Sequence, residues 1–257
     1  MLILKSYNQF MWIRWILGSY MAWVLWQLVA WTDVLLSEKS RIVLLYQRQD
    51  RWLLSLFDLW GNTVFVNSIL FLGIAFAISF VLGKNIRLSA VFIFLVFLMV
   101  SLRNPLLRDL QFHYLGWLLL AYILSPQSAS TSPDGRMPRP ILIAGWIVFG
   151  VSYSVSGFGK WNYGPWHTGE ALGMFSPSLQ PISWILTPMT LFAELACLPM
   201  ILYRPTRIVS WSILTLMHFG IASFGILTDL ALSILLFHFF LFDPQWVSKL
   251  PFFCSSK

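Results

Sequence analysis

A lysine, a histidine and a glutamate stand close together in an aromatic, glycine-rich stretch: Gly157-Phe158-Gly159-Lys160-Trp161-Asn162-Tyr163-Gly164-Pro165-Trp166-His167-Thr168-Gly169-Glu170. It closes an apolar run that holds no charged residue from Ile141 to Gly159. A lysine in that place has two readings. In the first it snorkels, stem along the helix and ammonium among headgroups. In the second it is buried, which disfavours its charged form and leaves an amine able to act as a general base. The glycines, which allow close backbone approach, and the aromatic wall weigh toward the second. Trp166, His167 and Glu170 are the neighbouring groups expected to bind a cofactor.

Three more polar groups lie in apolar surroundings. His113 follows Leu110-Gln111-Phe112, and an imidazole can give or take a proton near neutral pH. His218, in Thr215-Leu216-Met217-His218-Phe219-Gly220, is deeper, where polar side chains face a bundle interior. Glu194, in Leu191-Phe192-Ala193-Glu194-Leu195-Ala196, is a mid-helix carboxylate that must be protonated or paired with a histidine or lysine. Lys160, His113 and His218 are thus the candidate catalytic groups, with Glu194 joining the cofactor set. His238 reads as structural. No metal site is expected, because the histidines show no His-x-x-His or His-x-x-x-His spacing. Cys197 and Cys254 form no Cys-x-x-Cys pair, which argues against thiol–disulfide exchange.

The elements that must position these groups are membrane helices. Apolar residues make up 58% of the 257 residues and charged residues only 11%, well under the share a soluble domain carries. The mean hydropathy is +0.74. The expected fold is all-α: one polytopic integral membrane bundle over 1–257, with no soluble domain and no removable signal peptide. Eight spans are read at about 12–32, 63–83, 88–102, 110–125, 140–158, 181–202, 207–226 and 230–242. Arg14 breaks the first near its start, and Pro181 opens the sixth. Residues 37–61 mix charge with leucine and aromatic residues, as an amphipathic segment on the membrane surface does. Residues 126–139 read as a flexible connection, and 161–180 as a loop. Asp109 and Asp229 are expected to cap the fourth and eighth spans, and Arg103-Asn104-Pro105 to end the third. Eight spans put ten basic residues on the side of the termini and seven on the other, which places both termini in the cytoplasm. Lys160, His113, His167, Glu170 and His218 then all approach the outer face, and His238 the inner one. The net charge of +7 is scattered and forms no stripe, so lipid headgroups are expected partners and nucleic acid is not.

Three segments resemble the membrane domain of the vitamin K-dependent gamma-carboxylase-like family, also called the horizontally transferred transmembrane domain family. Ser156-Gly157-Phe158-Gly159-Lys160, with Trp166, Gly169, Glu170, Ala171 and Leu172, resembles its helix-end lysine and following loop. Arg103-Asn104-Pro105 with Phe112-His113-Tyr114-Leu115 resembles its third-to-fourth span segment, and Met217-His218-Phe219-Gly220-Ile221 its late-helix histidine. The resemblance implies that Lys160 is the base that deprotonates a quinol-like cofactor. It implies that His113 assists near the reacting centre and that His218 shapes the pocket. The soluble part that grips the carboxylase substrate has no counterpart here, and Gln111-Phe112-His113 stands where that family has an Asn-His pair.

The leading expectation is a membrane enzyme or peptide-maturation factor of the bacterial plasma membrane. Its pocket faces outward, Lys160 is its base, and a partner membrane or secreted protein supplies substrate recognition. Two other classes stay open: a non-catalytic subunit that scaffolds a larger complex, and a small-molecule transporter built on Glu194.

Overall fold

The computed structural model describes residues 8–40, 55–104, 107, 110–132, 135–223, 228–243 and 246, with backbone alone at 110–112. Every element among them is a helix. The chain forms two compact units, Met1–Ile141 and Leu142–Lys257. The first holds α1 (Gln9–Ala30), α2 (Thr32–Leu35), α3 (Leu56–Leu59), α4 (Thr63–Val81), α5 (Ile86–Arg103), α6 (Leu110–Leu124) and α7 (Ser128–Thr131). Helix α8 (Arg139–Trp161) begins there and runs on into the second. The second continues with α9 (Gly164–Thr168), α10 (Ala171–Phe175), a 3-10 turn (Pro177–Ile182), α11 (Ser183–Leu195), α12 (Cys197–Leu202), α13 (Arg204–Ser223) and α14 (Thr228–Leu241).

Three helices, α4, α5 and α8, are long and apolar enough to cross a membrane, and they point to a membrane protein. Their surfaces agree with this. On α8 the exposed residues Ile143, Ile147, Val151, Val155 and Phe158 recur at helical spacing, while Gly150, Tyr153 and Gly157 face inward. An exposed aliphatic stripe is costly against water and favourable against acyl chains. Helix α1 is long enough too, but four tryptophans and Arg14 lower its hydropathy.

Arg14 does not break the first span, as expected above; α1 runs through it. The side chain is buried and donates from Nη1 to the carbonyls of Phe80 and Val81, at 2.6 and 2.7 Å. These are orphan carbonyls at the end of α4, and a buried guanidinium there satisfies both the hydrogen bonds and the helix dipole. Gly18 lets the two helices approach, since a Cβ there would lie 2.6 Å from Val81.

Helix α5 ends at Arg103, followed by Asn104 as its cap. Arg103 is fully buried. It pairs with Asp58 at 2.6 Å and donates from Nε to the Leu36 carbonyl at 2.9 Å, while Asn104 donates to the Leu35 carbonyl. Asp58 also accepts the Ser55 N–H in a capping box that starts α3. Outside the candidate spans, the Thr63 hydroxyl donates to the exposed Asp33 and holds its carboxyl below the ordinary range. That small stabilisation is present at neutral pH and fades as pH falls through the lowered value.

Several boundaries differ from the sequence expectations. The connection at 126–139 contains α7. The loop at 161–180 is α9, α10 and the 3-10 turn. The span at 181–202 is two helices, and Pro181 sits inside the 3-10 turn rather than at a helix start. The amphipathic segment over 37–61 lies outside the described residues from 41 to 54, as do Pro105, Asp109 and Cys254. Asp229 sits in the first turn of α14.

Removing one partner of a buried ion pair strands the other charge. Asp58→Ala is therefore expected to destabilise the protein by about 3–5 kcal/mol, read from the denaturation midpoint in detergent. An unchanged midpoint would show that Arg103 needs no carboxylate.

Candidate functional site

The site grows from one inward face of α8. Gly150, Ser154 and Gly157 lie along it, and small side chains let another helix come close. A Cβ on Gly157 would lie 2.8 Å from the Leu195 nitrogen and 3.0 Å from Glu194 Cβ; one on Gly150 would strike Ile201. The helix that uses this space is interrupted. Pro199 has no N–H to give the Leu195 carbonyl four residues back. Ser154 fills the break. Its Oγ accepts the Leu198 N–H at 3.1 Å and lies 3.3 Å from both the Glu194 and the Leu195 carbonyls, to which its one hydroxyl proton can be given. One hydroxyl thus takes up backbone groups that the separation of α11 from α12 leaves over.

Glu194, in the last turn of α11, meets Lys160. Glu194 is 2% exposed and Lys160 part-buried, and their side chains form an ion pair through Oε1. The Lys160 ammonium also sits 4.9 Å from the centroid of Trp166, a cation–π distance. Trp166 is held in a small core with Ala171 and Leu191, onto which Leu172 and Leu195 pack.

The turns that carry Trp166 are ordered by α11. Ser183 Oγ accepts the Gly173 N–H at 2.9 Å and donates to the Gly169 carbonyl at 2.6 Å, and Thr187 accepts the Leu172 N–H. These are first-turn amides of α10, which a short helix leaves unsatisfied. Gly169 has φ +82°, and a Cβ there would lie 2.9 Å from the Trp184 Cα, so glycine is required twice over.

Around this pair lie buried polar atoms without hydrogen-bond partners: Glu194 Oε2, His218 Nδ1 and His218 Nε2. Buried polar groups are ordinarily paired, so these atoms are free to meet a water or a bound molecule; the Ser156 hydroxyl is the other polar neighbour of the Glu194 carboxyl. His218 is 5% exposed and close enough to Lys160 to feel its charge. Beside it stand Tyr153 and His238, each with a ring centroid 5.7 Å from that of His218. An open apolar groove of about 460 Å³ runs along α8 past Val151, Ser154, Phe158 and Leu198 to Asn162.

The structure therefore gathers Lys160, Trp166, Glu194 and His218 in the second unit. Of the other sequence candidates, His113 belongs to the first unit and is exposed. His167 is exposed; its ring packs on Trp161 and its Nε2 donates to the Trp161 carbonyl, capping α8. Glu170 is exposed where α10 begins. His238, read as structural, packs beside Trp211, Thr215 and His218 of α13. Tyr153, Ser154 and Thr215 were missed; Tyr153 and Ser154 both stand about two turns before Lys160 on the same helix, the signal that could have drawn them in. Among the described residues no three His, Cys, Asp or Glu side chains meet to hold a metal ion.

The arrangement defines a class, a helical membrane protein with a buried, ion-paired polar centre. Comparison with family models finds no match, and comparison with curated proteins and solved structures finds none either.

Substitutions on the α8 face separate the close approach from mere helix content. Gly157→Leu overpacks the contact and is expected to destabilise by about 1–3 kcal/mol. Ser154→Ala strands the Leu198 N–H at a similar cost of about 1–3 kcal/mol. Gly159→Ala meets nothing within 4 Å and is expected to stabilise by about 0.5–1 kcal/mol. Thermal unfolding in detergent reads all three; equal effects at 157 and 159 would contradict the packing.

Proposed function

We propose that this chain is an integral membrane enzyme or peptide-maturation factor whose reaction turns on proton transfer at Lys160. The observation that carries the reading is the Lys160–Glu194 pair, its carboxylate buried and its ammonium part-buried against Trp166, with unpartnered atoms on Glu194 and on His218. A proton passed from Lys160 to Glu194 leaves a neutral amine and a neutral acid, a form that an apolar interior tolerates better than unpaired ions. The amine then accepts a proton from a bound ligand, and Glu194 gives its own to the departing product or to water, which restores the ion pair. Trp166 walls the site, and His218 offers one ring donor and one ring acceptor.

The resemblance to the gamma-carboxylase-like family supports the same reading, through Lys160 and His218. A quinol-like aromatic fits the residues present. Trp166 would hold its ring, and Glu194 Oε2 and His218 would meet its hydroxyls. When bound it supplies an acidic hydroxyl and two-electron reducing chemistry. In this reading the apolar helices form about eight spans of a bacterial plasma membrane, the termini are cytoplasmic, and the site opens outward. Lipids are its surroundings, and a membrane or secreted protein presents the substrate.

A second reading has its own observation. The interruption between α11 and α12 puts a buried carboxylate at a helix break, as discontinuous helices do in transporters. A transporter would depend on Glu194 more than on Lys160.

The test is native mass spectrometry of the protein drawn gently from its own membrane, beside Lys160→Met and Glu194→Gln. The enzyme reading expects a co-purifying small aromatic that Lys160→Met releases, and at least about a 100-fold loss of activity in a protein that still folds. His167→Ala and Glu170→Gln are expected to leave both unchanged. A stoichiometric protein partner with no small molecule would overturn the enzyme reading in favour of a scaffold.

A further inference from the structure

Behind His218 lies a chain of hydrogen bonds whose direction follows from its members. Thr215 Oγ1 is 2.6 Å from the Trp211 carbonyl and 2.6 Å from His238 Nδ1. A carbonyl cannot donate, so the single hydroxyl proton of Thr215 lies toward Trp211. Thr215 can then only accept from His238, and Nδ1 carries the ring proton. The lone pair is left on Nε2, which is 2.8 Å from the Tyr153 hydroxyl. Tyr153 is therefore the donor. Trp211 Nε1 fixes the backbone by donating to the His238 carbonyl at 2.9 Å, and the Phe149 ring packs on the imidazole at 4.8 Å. Tyr153 and His238 are 3% and 1% exposed.

We propose that Tyr153 and His238 form a second acid–base unit beside His218, in which Thr215 and His238 are positioning residues that orient the Tyr153 hydroxyl. The proposal rests on the proton-transfer reading above and extends it. A proton delivered to the Tyr153 oxygen from the His218 side forms one O–H bond as the original one breaks. The displaced proton forms an N–H bond at His238 Nε2. The resulting imidazolium keeps both N–H groups paired, one to Thr215 and one to Tyr153. The return step reverses each bond, and no electron moves. The unit is a buried proton store with a fixed direction. The titratable groups around it are His218 on α13 and, beyond it, Lys160 with its partner Glu194.

The experiment is nitrogen NMR of the full chain, labelled at histidine, in lipid nanodiscs. Wild type is compared with Thr215→Val, Thr215→Ser, Tyr153→Phe and Lys160→Met. His238 is expected wholly as the Nδ1-protonated tautomer in wild type. Thr215→Val shifts it to a mixture of tautomers, and Thr215→Ser restores it. Tyr153→Phe and Thr215→Val both move the His218 ring resonances. A wild-type His238 protonated at Nε2 overturns the proposal, and so does a Thr215→Val variant whose His238 and His218 signals match wild type. Lys160→Met is expected to leave the His238 tautomer in place. Failure of the Lys160 reading, seen as retained ligand and activity in that variant, is thereby distinguishable from failure here.

Discussion

The centre of the second unit depends on how closely two backbones meet. At Gly157 the separation leaves no room for a single methyl group, and Glu194 and Lys160 face each other one turn further on. In an apolar medium little hydrophobic force draws helices together, so close packing and side-chain hydrogen bonds must do it. Glycine supplies the first and Ser154 the second. With a larger residue at either place, a buried carboxylate would lose its cation, an uncompensated charge in low dielectric.

The break between α11 and α12 turns this proximity into a site. A continuous helix would satisfy its own carbonyls and would owe nothing to Ser154. Proline at 199 withdraws one amide, and Ala196 alone separates α11 from α12. Lys160 then holds Glu194 through one oxygen only and leaves the other available. The same economy appears in the first unit, where Arg14 and Arg103 each end a helix by meeting carbonyls from another element. Buried cations here are mostly fasteners of helix ends; Lys160 differs in meeting a carboxylate beside unpartnered groups.

Much of the helical layout was legible in the sequence. Helices α4 and α5 occupy apolar runs bounded by Asn62, Asn85 and Asn104, with Arg87 and Arg103 at the two ends of α5, and those boundaries lie within a few residues of expectation. Lys160, Trp166, Glu194 and His218 drew notice because polar groups in apolar segments demand partners, and one unit holds all four. The pairing itself was not legible, since it needs the break, and the break needs Ser154 on another helix. The partners of His238 were not legible either, since the Thr215 and Tyr153 hydroxyls that meet its ring come from two other helices. The turns at 161–180 looked like a loop because glycine and proline conceal short helices whose amides are satisfied from α11. Arg14 looked like a flaw in a span because the carbonyls it meets lie sixty-six residues away.

The junction at Ser154 also says how this chain can drift over generations. Serine at 154 answers a vacancy that proline at 199 creates, so neither residue has its present value alone. A lineage that lost the proline would close the helix through Ala196 and turn Glu194 about the axis, away from Lys160. A lineage that lost the serine would keep the break but leave its amide bare. The two positions should therefore be inherited as a pair across relatives that keep the lysine and the glutamate, although forty-four residues of chain separate the serine from the amide it serves.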